Sequence, residues 1–263
     1  MKILLLLFAP LLLFSKVHYA KVEPYESVVL KSAVSALVVN VDLESEAKMV
    51  KGKRVIYLDD ILDKVNLKTS KESVVLLQKM LDINKDIASS LHETVKRQES
   101  YYNRINKLST VSKTQKDNAY SSFASAKTQY LSTKEKIITL ETQILDMQYK
   151  IAQLEDSIFK KSIVLDNLYL YEIIVRKGDY VTPGSPLASV VDASRAKLVL
   201  FLDPTELEKI EEKNVYLNGE KTDYKVDKVW RVTDEKFISS YRAEIYITAP
   251  KGSFSELLKV EIK

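Results

Sequence analysis

The chain is predicted to be an α+β protein in which a β-module is opened, a long helical hairpin is inserted, and the chain returns to complete the module and add a small antiparallel β-structure. Three observations predict this. Two β-type segments, residues 28–58 and 163–191, share one order: apolar strand, polar turn, apolar strand. Between them runs a heptad-patterned stretch with no proline or glycine from Leu67 to Asp166, so nothing local interrupts a helix. After them come short alternating apolar and polar runs typical of half-buried antiparallel strands.

At the N-terminus, Lys2 precedes an apolar run from Ile3 to Phe14, followed by Ser15 and Ala20. That run is shorter than the roughly 20 residues a membrane-spanning helix needs and matches the apolar core of an export signal. Residues 1–20 are therefore expected to be a signal peptide, with the mature chain starting at Lys21. His18 occupies the third position before that cut, where a small residue is usual, so an uncleaved anchor is the alternative. The chain has no cysteine, which excludes a lipid-modified N-terminal cysteine and any disulfide and leaves export permitted.

The first β-segment reads Val38-Val39-Asn40-Val41, then Val50-Lys51-Gly52-Lys53-Arg54-Val55-Ile56-Tyr57-Leu58-Asp59. The central stretch follows. Val74, Leu77, Leu81, Asn84, Ala88, Leu91, Val95, Gln98, Tyr102 and Ile105 alternate steps of three and four. A second seam runs Ala119, Phe123, Ala126, Tyr130, Thr133, Ile137, Leu140, Ile144, Met147, Ile151, Leu154 and Ile158. Two such seams, separated by the polar stretch Ser109 to Asn118, predict an antiparallel coiled coil rather than a broader-faced bundle. An arm from Ser70 to Leu108 would be about 55 to 60 Å long at 1.5 Å per residue. Asn84 and Gln98 are read as polar seam residues that fix alignment, and His92, beside Glu93, as a solvated helix residue.

The second β-segment runs Ile173 to Asp192, with Gly178-Asp179 and Pro183-Gly184 as turn dipeptides between β-branched runs. Beyond it, Ala196 to Asp203 reads as a strand and Pro204 to Ile210 as a short helix opened by proline. Residues 215–217, 224–232 and 241–248 read as further strands, with Trp230 and Tyr246 as core aromatics.

These halves, their order and the hairpin between them resemble the periplasmic adaptors, or membrane fusion proteins (HlyD-like), of Gram-negative tripartite efflux and secretion systems. The best-matched stretch, Gly178 to Leu187, is similar to that family's second lipoyl-like half; the first half carries Ser45-Glu46 where a Gly-Asp turn is usual. The resemblance implies a split lipoyl-like β-sandwich (residues 30–66 and 161–194), a hairpin over 67–160 with its tip at about 108–118, and a β-barrel over 195–263 to which 21–29 add a strand. A membrane-proximal domain would be minimal or missing. It further implies that Arg104, Leu108 and Ser112 dock onto an outer-membrane channel of the TolC type. Leu108 and Ser112 stand four residues apart where the family typically has seven, a tighter turn. The implied role is an adaptor in the periplasm, associated with the inner membrane, bridging an inner-membrane transporter of proton-driven or ABC type to that channel, six copies forming a ring. From another class, a stand-alone coiled-coil chaperone or scaffold is the alternative.

Composition agrees. The formal charge is +4 overall, and loss of residues 1–20 takes Lys2 and Lys16 with it and no acid, so no basic field points to nucleic acid. No cofactor, metal site or catalytic residue is expected: the two histidines lie far apart, and there is neither a phosphate-cradling glycine loop nor a nucleophile constellation, so an enzyme is not read here. Lys48 follows Ala47 rather than an acid, which sets Glu44-Ser45-Glu46-Ala47-Lys48 apart from the acylated loop of a carrier domain.

Overall fold

The structure, a computed structural model, describes residues 16–233, 239–250 and 254–263. The apolar run Ile3 to Phe14 lies outside the described residues. The described chain divides into two units, one within residues 16–32, 40–56 and 163–263, the other formed by 33–39 and 57–162.

The second unit is the hairpin. Helix α1 (Ile61–Asn106) and helix α2 (Lys113–Lys160) have 46 and 48 residues, so each extends for about 70 Å at the helical rise. α1 begins at Ile61, ahead of the seam, because the segment after Leu58 has helix-starting chemistry. Asp59 accepts a hydrogen bond from the Ile61 N–H, and Asp63 places an acid in the first turn. The most buried positions are Ser70, Leu81, Asn84 and Ala88 on α1 and Ala119, Ala126, Leu140 and Ile144 on α2. All but Ser70 lie on the two predicted seams, and Ser70 continues the first by one more step. Leu81, Leu140 and Ile144, with Val74, Leu77 and Ile137 against them, form an apolar core beyond the root.

Asn84 is buried on the seam as expected, while His92, beside the seam, departs from expectation. Asn84 donates to the Met80 carbonyl of its own helix at 2.7 Å, so its amide is spent locally. His92 is half-buried rather than fully solvated: its ring lies 5.1 Å from that of Tyr130 on the facing helix, because it flanks the Leu91 seam position and turns inward beside it. Interhelical pairs Lys71–Glu155 and Lys85–Glu141 are exposed and contribute little to stability.

At the root, the two chain ends of the hairpin are held side by side. The Leu58 N–H donates to the Lys161 carbonyl at 2.8 Å, and the Asp59 N–H to the Leu37 carbonyl at 2.8 Å. The Asp63 carboxylate takes bonds from the Lys161 ammonium and the Ser157 hydroxyl, each 2.8 Å. Burial pushes its pKa up, but these two partners outweigh burial and leave it below the usual carboxylate value. Asp60, 3% exposed, is satisfied by the Tyr57 hydroxyl and Lys64.

Strand β1 (Val17–Lys31) is followed by β2 (Ala36–Val41), β3 (Lys48–Val50) and β4 (Lys53–Leu58) before the helices. β5 (Ser162–Leu165), β6 (Leu168–Ile173), β7 (Tyr180–Val181) and β8 (Pro186–Leu202) come after them. The two sets interleave. β3 pairs antiparallel with β6 (Lys48↔Leu170 to Val50↔Leu168), and a four-stranded sheet has the order β5-β4-β2-β7. The β-module is therefore split by the hairpin in sequence and rejoined in space. Gly178 and Gly184 both carry the positive φ (98° and 90°) that their turns require, as the dipeptide signals indicated.

β9 (Val215–Leu217), β10 (Glu220–Lys221), β11 (Lys228–Thr233), β12 (Tyr241–Thr248) and β13 (Leu257–Ile262) complete a sheet ordered β10-β9-β13-β1-β8-β12-β11, an antiparallel half-barrel. Its core is aliphatic: Ala20, Val22, Leu198, Leu200, Leu202, Val215, Ala243, Ile245 and Val260 are each almost wholly enclosed. Pro204 to Ile210 forms no continuous helix. Two 3-10 turns, at 204–206 and 210–212, are separated by Lys209 in the left-handed region (φ 52°).

Trp230 and Tyr246 are not core aromatics. Period-two alternation on β12 sends Ala243, Ile245 and Ile247 inward and Arg242, Glu244 and Tyr246 to the other face, and the Lys228↔Glu244 pairing puts Lys228 and Trp230 on that outer face too. There the Arg242 guanidinium lies 4.8 Å from the Trp230 ring, and Arg195 lies 4.0 Å from Tyr25 and 5.8 Å from Tyr246. Glu244, 4% exposed beneath this layer, is satisfied by Arg242 and the Tyr246 hydroxyl.

Glu261 on β13 lies between the Lys263 and Lys259 ammonium groups, at 2.5 and 2.9 Å, and these two bonds lower its pKa to about 2. A depressed carboxylate stabilises the fold above its unfolded pKa and loses that contribution as pH falls through its folded value. The half-barrel is expected to lose stability progressively from about pH 4.5 downward. Glu261→Gln should lower Tm at pH 7 and flatten the Tm-versus-pH curve between pH 4.5 and 2, read by circular dichroism melts.

Candidate functional site

The far end of the hairpin is built by a short turn between two strong helix stops. α1 ends at Asn106, with Lys107 still near the right-handed helical region and the Leu108 N–H bonded to the Ile105 carbonyl at 3.0 Å. Residues 107–112 form the turn, and α2 starts at Lys113, earlier than the polar stretch to Asn118 suggests. The cause is Ser112. Its hydroxyl accepts from the Gln115 N–H, while the Gln115 side-chain oxygen accepts from the Ser112 N–H at 3.2 Å, a reciprocal cap that satisfies the first turn of α2.

Of the three residues singled out in the sequence, Arg104 sits in the last turn of α1, its guanidinium 5.8 Å from the Tyr101 ring, and is exposed. Leu108 stands in the turn with 48% of its surface exposed, an apolar side chain with no core to enter. Ser112 carries the cap, so its hydroxyl is engaged by its own helix. Sequence reasoning missed two features that shape this end. The Lys116 ammonium reaches back to the Asn106 carbonyl at 3.0 Å, tying α2 to the end of α1 across the turn. Tyr102 lies 5.4 Å from Tyr120 and is stacked parallel to Phe123 at 6.4 Å, an aromatic brace below the turn. Tyr102 and Phe123 were legible as seam residues; Tyr120, one step off the seam, was not.

The sides of the hairpin carry two more apolar rows. On α1, Leu76, Met80, Ile83 and Ile87 are exposed at steps of four, three and four. On α2, Leu131, Ile138 and Leu145 are exposed at steps of seven. The rows lie on opposite flanks. Leu76 and Met80 border an apolar groove of about 530 Å³ with Gln143, Met147 and Lys150 of α2. Ile138 and Leu145 instead flank Glu141, three and four residues away, whose partner Lys85 stands five residues beyond Met80, about 140° around α1.

Among the described residues no group of acids and histidines could hold a metal ion, and no helix is long and apolar enough to cross a membrane. Lys48 opens strand β3 opposite Leu170 and reaches the Glu44 carbonyl, so it is not presented at a hairpin tip.

No known family profile matches the sequence, and no curated protein matches it either. Solved structures do match. MacA from Actinobacillus actinomycetemcomitans superposes with a TM-score of 0.71 at 15% identity, over 95% of this chain and 78% of that one. A MacA-MexA chimera carrying the Pseudomonas aeruginosa MexA α-hairpin domain matches over the same shares at 15% identity and a TM-score of 0.62. The membrane fusion protein Spr0693 from Streptococcus pneumoniae R6 matches at 11% identity and a TM-score of 0.52, over 95% of this chain and 99% of that one. The chain has the fold of the membrane fusion, or periplasmic adaptor, proteins.

Ser112→Ala is expected to cost about 1 kcal/mol of local helix stability. Hydrogen exchange should speed up at Lys113 to Lys116, while the melting of the root and half-barrel stays unchanged.

Proposed function

We propose that this chain, which folds as a membrane fusion protein, is a periplasmic adaptor that bridges an inner-membrane transporter, proton-driven or ABC-type, to a TolC-type outer-membrane channel. The observation that carries the reading is an arm of about 70 Å, inserted into a split β-module, that ends in an exposed apolar residue and a cation. A bundle that served only its own stability would bury Leu108. The β-module, read as the lipoyl-like sandwich of the adaptors, and the half-barrel serve as the base, and energy for transport comes from the partner.

In this reading Leu108 fills a small apolar groove between helices of the channel and Arg104 holds carbonyl or carboxylate oxygens with its fork of donors. Ser112 contributes by fixing the turn, through the cap described above, rather than by offering a free hydroxyl. Apolar rows on opposite flanks support a ring. One hairpin's α1 row can meet the next hairpin's α2 row in a head-to-tail contact, the kind that closes into cyclic symmetry, and six copies is the number the resemblance implies.

A photoreactive residue placed at Leu108 in the native envelope is expected to capture an outer-membrane channel subunit, identified by mass spectrometry. Arg104→Ala should reduce the yield roughly tenfold, a loss of about 1.4 kcal/mol. Capture of diverse unfolded clients with no channel among them would replace this reading with a periplasmic chaperone. Separately, Ile83→Glu on the α1 row should convert the assembly to monomers by light scattering, with the monomer's own Tm unchanged.

A further inference from the structure

Strand β1 runs straight through the position at which an export signal ending at Ala20 would be cut. Residues 17–21 pair antiparallel with β13 over five positions, from Val17↔Glu261 to Lys21↔Leu257, and only from Val22 onward does β1 pair with β8. The side chains alternate as in any half-buried strand: Tyr19 is exposed, while Ala20 and Val22 are 1% and 2% exposed. Ala20 belongs to the half-barrel core with Leu198, Val215 and Val260. His18, its side chain only 10% exposed, places Nε2 2.7 Å from the Glu206 carboxylate, and the Lys16 ammonium lies 2.5 Å from that of Asp203. Four residues that would be discarded thus supply a strand, a core methyl and a hydrogen-bond partner, and Lys16 an ion-pair partner, to the 3-10 turn after β8.

We infer that the leader is removed, if at all, upstream of Lys16, and that the mature chain keeps Val17 to Ala20 as the first part of β1. Two independent arguments converge. A leader peptidase adds water across an extended, accessible peptide bond, leaving a carboxylate on the leader and an amine on the mature chain, and it selects small residues at the first and third positions before that bond. The Ala20–Lys21 bond has the imidazole of His18 at the third position. Loss of 16–20 would also remove four of the five β1 positions paired with β13, expose a row of backbone donors and acceptors, and take from Glu206 its His18 partner. A cut after Ser15 would spare the strand, but Leu13 stands at the third position before that bond, so the rule that disfavours the Ala20–Lys21 bond disfavours that one as well.

The test is the mass of the folded protein recovered from the envelope of a bacterium that expresses the full chain with its own N-terminus. An N-terminus at Lys16 or upstream is expected; an N-terminus at Lys21 in folded protein overturns the inference. As a second measurement, chains beginning at Lys16 and at Lys21 are exported behind the same unrelated cleavable leader. The Lys21 chain is expected to melt several degrees lower and to be cut by protease within the half-barrel, whereas equal Tm and equal protease resistance overturn the structural role assigned to Val17–Ala20. Neither measurement depends on a transporter or channel, so its failure leaves the adaptor reading untouched.

Discussion

The rest of the architecture depends on one closure: the chain leaves the β-module at Leu58 and re-enters at Lys161, and the Leu58 N–H to Lys161 carbonyl bond holds those two points together. About a hundred residues can be inserted there at little cost to the strands on either side, because the ends of an antiparallel hairpin are already adjacent. Asp63 makes the junction firm by accepting from both Lys161 and Ser157, so the first turn of α1 and the last of α2 share one carboxylate. With the root fixed, the seam needs only to keep its register outward. It does so mainly with aliphatic packing midway along the arm, around Leu81, Leu140 and Ile144, and with aromatic packing near the tip, around Tyr102, Tyr120 and Phe123.

The division of labour between the faces of the half-barrel follows from the same economy. Its inner face is mostly aliphatic, with Tyr224 and Phe254 packed against it, while Tyr25, Trp230 and Tyr246 lie on the outer face against arginine and lysine. The Arg242 guanidinium, lying over the outward Trp230 ring, also pairs with the buried Glu244 carboxylate. At the hairpin the polarity is reversed. Apolar rows remain on the flanks and a leucine at the tip, on an element whose own seam is already filled; these are the surfaces that neighbours would cover in the proposed assembly.

Much of this was legible in the sequence where a single local rule governs the outcome. The heptad steps placed the seams, since 3.5-residue spacing has one favourable packing, and the turn dipeptides placed Gly178 and Gly184 where positive φ is needed. The tip residues were legible as a pattern, but the role of Ser112 was not. Ser112 was read for docking alone; its cap on α2 rests on the reciprocal bonds with Gln115, which only the structure shows. Trp230 and Tyr246 were misread because hydrophobic residues on a strand announce a buried face without saying which of two faces it is. His92 was misread for a related reason: beside a seam, a residue's burial depends on the bulk of the facing helix, here Tyr130.

By itself the sequence determined the two seams, the antiparallel pair of long helices and the strand sets on either side of them, because periodicity and backbone-breaking residues act over a few positions. The tertiary structure alone decided what depends on partners distant in the chain. It showed β3 joined to β6 across the inserted helices, the opposite flanks of the two apolar rows, and the strand character of Val17 to Ala20. The last is the sharpest instance. Read locally, those residues follow an apolar run and end in a small side chain, the marks of a segment to be discarded. Only pairing with β13, more than two hundred residues away, reveals them as a strand, since an edge backbone finds its hydrogen bonds wherever the fold brings a partner.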